Sequence, residues 1–348
     1  MNPTVLTILI SSLGLGTTLT FIGSHWLLVW MGLEINTLAI IPLMIRQHHP
    51  RAVEATTKYF ITQATASALL LFASITNAWT SGEWSLTEMI NPTSATLALT
   101  ALALKIGLAP LHFWLPEVLQ GLDLTTGLIL ATWQKLAPFA ILLQLHPLLN
   151  SNLLLFLGVL STIIGGWGGL NQTQLRKILA YSSIAHLGWM ITILHYSPNL
   201  TQLNLMLYIV MTITAFLLFK TLNSTKINSI AMSTVKSPLL SIISLMVLLS
   251  LGGLPPLSGF MPKWLILQEL TKQNLAIPAT IMALAALISL FFYLRLCYST
   301  TLTMSPNSIH LSSSWRTKSF QPNLMLMMTS SLSTLLLPLT PAILMLTL

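Results

Sequence analysis

The chain has 348 residues, of which 54% are hydrophobic and only 6% charged, whereas a soluble domain carries about 25% charged residues to cover its surface. That composition excludes a soluble fold, and the formal charge of +8 does not mark a nucleic-acid binder, because the basic residues form no Lys/Arg-rich run with interleaved aromatics. A single cysteine, Cys297, excludes an internal disulfide, an iron–sulfur cluster and a structural zinc site, all of which need several thiolates or histidines.

Apolar stretches recur from end to end, each near the roughly 20 residues that a helix needs to cross about 30 Å of hydrocarbon. None shows the alternating strands of about 10 residues that build a β-barrel. The expected fold is therefore all-α, a polytopic membrane protein of about eleven transmembrane helices. The opening MNPTVLTILI lacks the basic n-region of a signal peptide and the Arg-rich character of a transit peptide, so the first span is expected to be retained.

The first span is expected from Pro3 to Gly23 and the second from His25 to Ile45. Glu34, in LVWMGLEINTLAIIP, sits mid-way along the second, too far from either end for a carboxylate to reach water. A charge at that depth costs about 2.5–3.5 kcal/mol on insertion scales and marks an ion or proton path by default, with a structural ion pair between helices as the alternative. His48 and His49 follow in a basic loop that supplies no further metal ligands. A third span runs from Ala52 to Trp79 and a fourth from Thr93 to Gln120.

The fourth span contains KIGLAPLHFWLPEV, Lys105 to Val118, and its prolines predict a broken helix. Lys105 lies about a dozen residues into this span, His112 lies inside the break, and Glu117 and Asp123 fall near the end of the span, where polar residues are ordinary. The fifth span, Leu124 to Leu145, carries Lys135 near its centre; neither lysine is close enough to an end to snorkel. The sixth, Asn152 to Leu170, ends in GGWGG at Gly165 to Gly169, a run of small residues that permits close helix packing.

The seventh span, Leu175 to Tyr196, holds His186 with Ser182 and Ser183 one turn away, and the eighth runs from Leu200 to Leu222. The ninth, Ser237 to Lys272, contains GGLPPLSGFMPKWLIL, a second proline-rich break with Lys263 directly after Pro262. The tenth covers Leu275 to Thr300 and the eleventh Pro322 to Leu348. Pro110 to Pro116 and Pro256 to Pro262 share a spacing of six residues, and five spans separate the two breaks. An odd offset turns the second copy upside down, so the expected organisation is one membrane domain: a first repeat at about 1–146, an inverted repeat at about 150–303, and an additional C-terminal helix at about 322–348.

Loop charge orients the chain, because inward-facing loops are enriched in Lys and Arg. Arg46, Arg51, Lys58, Arg176, Lys177, Lys220, Lys226, Lys236, Arg295, Arg316 and Lys318 fall on or near the N-terminal side, 11 of the 15 basic residues, against Lys272 opposite. The N-terminus is expected inside and the C-terminus outside. Lys58, Lys220 and Arg295 read as snorkelling anchors without chemistry. Within the spans, Glu34, Lys105, Lys135, Lys263, His112 and His186 form the candidate proton relay. Desolvation disfavours a buried ammonium and a nearby carboxylate favours it, so moving one partner switches the pair; histidine exchanges protons near neutral pH.

WMGLEINTLAIIP at Trp30 to Pro42, KIGLAPLHFWLPEV, TWQKLAP at Thr132 to Pro138, YSSIAHLGWM at Tyr181 to Met190 and LGGLPPLSGFMPKW at Leu251 to Trp264 carry a resemblance that runs essentially from Met1 to Leu348. The chain resembles the mitochondrial chain 2 family of NADH–ubiquinone oxidoreductase, the antiporter-like membrane subunits of respiratory complex I. The resemblance implies that Glu34 and Lys105 form an ion pair at the start of a half-channel, that Lys135 is a central relay lysine and that Lys263 ends the second half. His112 and His186 are similar to the family's intervening polar residues.

It further implies that NADH is oxidised and ubiquinone reduced in other subunits that hold FMN and iron–sulfur clusters, with no cofactor or metal in this chain. Implied partners are the antiporter-like chain 4, small membrane subunits, accessory subunits and membrane phospholipids, in the mitochondrial inner membrane, with the N-terminus in the matrix and the C-terminus in the intermembrane space. Related subunits and cation/proton antiporters have further N-terminal helices, and some place a glutamate where Lys263 stands. A free-standing cation/proton antiporter and a scaffold with inert ion pairs are the competing readings. The topology is checked by protease accessibility: a C-terminal epitope should be cut in mitoplasts, and cleavage only after the inner membrane is opened overturns the assignment.

Overall fold

Backbone polar groups in hydrocarbon have no water to bond, so a spanning chain must satisfy them within helices. The computed structural model describes residues 2–46, 48–236, 238–301 and 324–347. Among these there is no strand, only isolated bridges from His25 to Ser85 and from Gln174 to Lys226. Of the basic residues used for topology, Arg316 and Lys318 lie outside the described residues, as does the start of the eleventh expected span at Pro322.

Two compact units divide the chain, Met1–Ser161 and Thr162–Leu348, with the division inside one helix. The first unit contains α1 (Pro3–Ile22), α2 (Trp26–Met44), α3 (Pro50–Ser81), α4 (Pro92–Ile106), α5 (Trp114–Gly121), α6 (Leu124–Ala131), α7 (Trp133–Leu145) and the start of α8 (Ser151–Gly169). Prolines open α1, α3 and α4, where the missing N–H is one the first turn leaves unbonded anyway. α1 and α2 cross closely: a Cβ on Gly16 would stand 2.9 Å from the Gly32 carbonyl, and one on Gly32 2.9 Å from that of Gly16. α3 is fastened to its neighbours by side chains, Trp30 Nε1 donating to the Ser67 carbonyl at 3.2 Å and Gln63 Nε2 to that of Lys105 at 3.3 Å.

The second unit continues with α9 (Leu175–Ile193), α10 (Pro198–Thr221), α11 (Ile227–Lys236), α12 (Pro238–Gly252), α13 (Phe260–Lys272), α14 (Ala276–Thr301), α15 (Leu324–Leu335) and α16 (Thr340–Thr347). α9 is as long as α8, at 19 residues, but carries Arg176, Lys177, Ser182, Ser183 and His186. From Ile178 to Ile193 nearly every residue is buried, so its polar groups face protein. The GGWGG run ends α8 against α9 and α14: a Cβ on Gly165 would meet the Ala185 backbone nitrogen at 2.6 Å, and one on Gly169 the Phe292 ring at 2.9 Å. Arg295 on α14 donates to the carbonyl of Leu170 at 2.8 Å, placing a cation at the negative end of α8.

Helix occupies each of the eleven expected segments, but not as eleven rods. Seven described helical stretches are long and apolar enough to cross a membrane alone, or eight if the bent C-terminal pair counts as one span. The fourth and ninth expected spans are split, as their prolines require, into α4 with α5 and α12 with α13. α6 and α7 are parted at Thr132, and α15 and α16 meet at 67°, around Pro338 and Pro341. α11 falls where a loop was expected. Ile227 and Ile230 are buried and stand at helical spacing with Ala231 in a segment too short to cross a membrane, while Ser229 Oγ accepts from the N–H groups of Thr225 and Lys226, both at 3.1 Å.

Because Gly165 meets backbone rather than a movable side chain, Gly165→Ala should destabilise the second unit by about 1–3 kcal/mol. The expected result is less assembled protein on native gels and a lower midpoint of thermal inactivation; unchanged yield and midpoint would show that α8 and α9 separate freely.

Candidate functional site

Both helix breaks are built the same way. α4 ends at Gly107, with φ +85°, and the N–H groups of Gly107 and Leu108 both donate to the Ala103 carbonyl at 2.9 Å. α12 ends at Gly253, with φ +82°, and the N–H groups of Gly253 and Leu254 donate to the Leu249 carbonyl at 3.1 and 3.3 Å. A left-handed residue of this kind closes a helix with glycine because a side chain there is strained. Helix resumes at Trp114 and Phe260, seven residues after each glycine. In the first unit the freed carbonyls are met by side chains, Trp114 Nε1 donating to Leu104 at 3.0 Å and Gln63 to Lys105.

In the first unit, Lys105 from the last turn of α4 and Lys135 from the first turn of α7 are buried and border one cavity of about 20 Å³. That volume admits a water molecule. Lys105 Nζ has no hydrogen-bond partner there, and neither has the side-chain amide of Asn36, which lines the same cavity with Thr37, Gln63 and Gln134. Gln134 Nε2 donates to the Asn36 carbonyl at 3.3 Å. Buried polar groups left without partners are costly, so a polar cavity of this size is a place for water.

Glu34 is half-buried, and its carboxylate accepts from Thr37 Oγ1 at 3.3 Å. It lies near enough for its charge to act on Lys105 and Tyr59. The ion pairs of the described residues, Lys58 with Glu54 and Glu117 and Lys272 with Glu269, do not include Glu34 with Lys105. The contact pair implied by resemblance is thus absent from this geometry, because Glu34 turns to its own helix while Lys105 points into the cavity. His112 is buried within the break, its Nδ1 3.3 Å from the Pro110 carbonyl and its ring 4.5 Å from that of Phe113. It does not border the cavity of the two lysines.

In the second unit Lys263, from the first turn of α13, reaches back across the break to the carbonyl of Gly252 at 2.8 Å. A Cβ on Gly253 would lie 2.9 Å from its Nζ. A helix N-terminus repels an ammonium and a C-terminal carbonyl attracts one, which accounts for the fold-back. Lys263 and His186 border one cavity of about 10 Å³ with Ser182, Ser289 and Tyr293. The His186 ring stands 5.7 Å from that of Tyr208.

Aligning the two glycines places Lys263 opposite Glu117, not opposite Lys105. Lys105 thus precedes its break and Lys263 follows its own. Glu117 is paired with Lys58 at 2.7 Å, and Lys58 also holds Glu54 at 2.8 Å. Lys58, read from sequence as an anchor, therefore ties α3 to α5. Asn36, Gln63, Gln134 and Tyr293 were not singled out from sequence. The available signal was a carboxamide in an otherwise apolar span, two residues after Glu34 and one before Lys135.

The family profile described as NADH:quinone oxidoreductase/Mrp antiporter, TM matches residues 23–289, and that of the NADH dehydrogenase subunit 2 C-terminus matches residues 290–344. The chain is similar to NADH-ubiquinone oxidoreductase chain 2 of Squalus acanthias, with 89% identity over 348 residues covering 100% of both chains. It is similar to the protein of the same name from Oncorhynchus mykiss, with 66% identity over 343 residues, 99% of this chain and 98% of that one. Among solved structures it resembles a chain of respiratory complex I from Thermus thermophilus with bound aureothin, with a TM-score of 0.81 and 28% identity over 95% of this chain and 78% of that one.

Proposed function

This chain belongs to the NADH:quinone oxidoreductase/Mrp antiporter family, and from that membership we propose that it is a proton-translocating membrane subunit of respiratory complex I. NADH oxidation and ubiquinone reduction take place in other subunits, which hold FMN, iron–sulfur clusters and the quinone. This chain contributes buried groups that change protonation, in a multi-subunit assembly of the mitochondrial inner membrane with the antiporter-like chain 4, smaller membrane subunits and phospholipids around it. The N-terminus faces the matrix.

The observation that carries the reading is the pair of small cavities, each lined by lysine beside a broken helix in an otherwise apolar bundle. An amine held there has only a few ways to stabilise its charge: a carbonyl freed by the break, a carboxylate at a distance, or water. Lys263 uses the first, Lys105 senses the second, and the unpartnered amine of Lys105 calls for the third. When any of these moves, the affinity for the proton changes and the proton passes on. Glu34, Lys105, Lys135 and His112 serve the first unit, and His186 and Lys263 the second. The two repeats, about 1–146 and 150–303, take opposite membrane sense by the count of spans between their breaks, with the helix of about 322–348 appended.

Two experiments test this function. Glu34→Gln and Lys105→Met should leave the complex assembled on native gels but depress proton pumping and slow NADH oxidation; normal rate and pumping ratio in both would remove the pair from the relay. Lys263→Arg keeps the charge but cannot release the proton, so it should depress pumping as Lys263→Met does, each at least about fivefold. Near-normal pumping with arginine and a defect with methionine would make Lys263 a structural cation. Purification in mild detergent separates the competing reading, since a free-standing antiporter runs alone or as a small homo-oligomer.

A further inference from the structure

His186 has two tyrosines near it, and they differ in one respect. Tyr208 has its hydroxyl engaged with Ser183, whose own Oγ donates to the Ala180 carbonyl at 2.7 Å. Its ring packs against His186. Tyr293, on α14, is buried with 2% of its surface exposed, and its hydroxyl has no hydrogen-bond partner. It lies beside Ser182, which donates to the Leu179 carbonyl at 2.8 Å and keeps oxygen lone pairs that a phenol O–H can use. A buried phenol O–H usually finds a partner, so this orphan asks for one.

The surroundings supply it. Tyr293 borders the cavity of about 10 Å³ shared by Lys263 and His186. Its ring also lies against Gly252, where a Cβ would stand 3.7 Å from Cδ2, and the carbonyl of that glycine holds Lys263 Nζ at 2.8 Å. The ring of Phe292 also packs on it, with centroids 4.3 Å apart. The phenol ring is therefore packed against Gly252 and Phe292 at the border of the cavity.

We propose that the Tyr293 hydroxyl passes the proton between Lys263 and His186, either directly or through one water in their shared cavity. The inference rests on the relay reading above. An N–H bond of the Lys263 ammonium breaks as its proton moves to the phenol oxygen, or to the water bonded to it. The phenol O–H proton moves in the same step to the unprotonated ring nitrogen of His186. Lysine ends neutral, the imidazole ends as imidazolium, and the phenol stays neutral with a new proton. No electron changes hands, and rotation of the O–H resets the site.

The test compares Tyr293→Phe, Tyr293→His, Tyr298→Phe and Lys263→Met in intact complex reconstituted into vesicles, with pumping normalised to assembled complex. Tyr298 is the control, an exposed tyrosine on the same helix. Tyr293→Phe should keep the packing and lower pumping at least about fivefold, with a larger solvent deuterium isotope effect. Tyr293→His restores an exchangeable proton and should recover much of the loss, and Tyr298→Phe should pump normally. Normal pumping by Tyr293→Phe alongside a defect in Lys263→Met overturns the proposal and leaves the relay standing. Normal pumping by both overturns the relay itself. Equal loss in Tyr293→Phe and Tyr293→His, with no change in isotope effect, assigns the tyrosine to packing alone.

Discussion

A helix break in hydrocarbon frees backbone carbonyls that have no water to turn to, and whatever answers them must come from inside the protein. This constraint shapes both halves of the chain. At Gly107 and Gly253 the same left-handed turn returns two N–H groups to one carbonyl, which leaves the carbonyls after it open. The remaining carbonyls separate the two sites. In the first unit an indole and a carboxamide meet them, leaving Lys105 without a backbone partner, whereas in the second the ammonium of Lys263 is itself the donor.

That difference sets the electrostatics. Lys263 is stabilised by a fixed dipole a hydrogen bond away, while Lys105 depends on a half-buried carboxylate that does not touch it and on whatever fills the cavity it shares with Lys135 and Asn36. A charge supported through space responds to small movements of its partner, and a charge on a carbonyl responds to opening of the helix end. Two lysines of the same chemistry are thus open to different triggers. Outside the membrane-depth groups, Lys58 bridges Glu54 and Glu117 and so fastens the helix that follows the first break to α3, while Arg295 secures the end of α8. These exposed or half-exposed contacts hold the frame in which the buried groups sit.

Tight packing of small residues does the rest. Gly16 against Gly32 brings α1 onto α2, and the GGWGG run brings α8 onto α9 and α14. With lipid as apolar as the side chains, close backbone approach is what holds such helices together. The consequence for the site is that α9 is enclosed, so Ser183 is buried in protein and His186 and Ser182 border the small cavity by Lys263.

Much of the fold and part of the site were legible in the amino-acid order, because hydrocarbon penalises charge and unpaired backbone so heavily that spans, breaks and membrane-depth lysines stand out against the background. Glu34, Lys105, Lys135, Lys263 and the two proline-rich breaks could be named from sequence for that reason. Three things could not. The helix α11 is only ten residues long, too short to stand out as a span although Ile227, Ile230, Ala231 and Val235 fall at helical spacing. Whether Glu34 and Lys105 touch depended on side-chain direction. And Asn36, Gln134 and Tyr293 look like ordinary polar or aromatic residues until packing leaves their polar atoms facing a cavity. Composition decides which groups must lie in the membrane, since that follows from transfer energies of single residues; which of them meet is decided only when distant helices pack, because it depends on directions that no local spacing encodes.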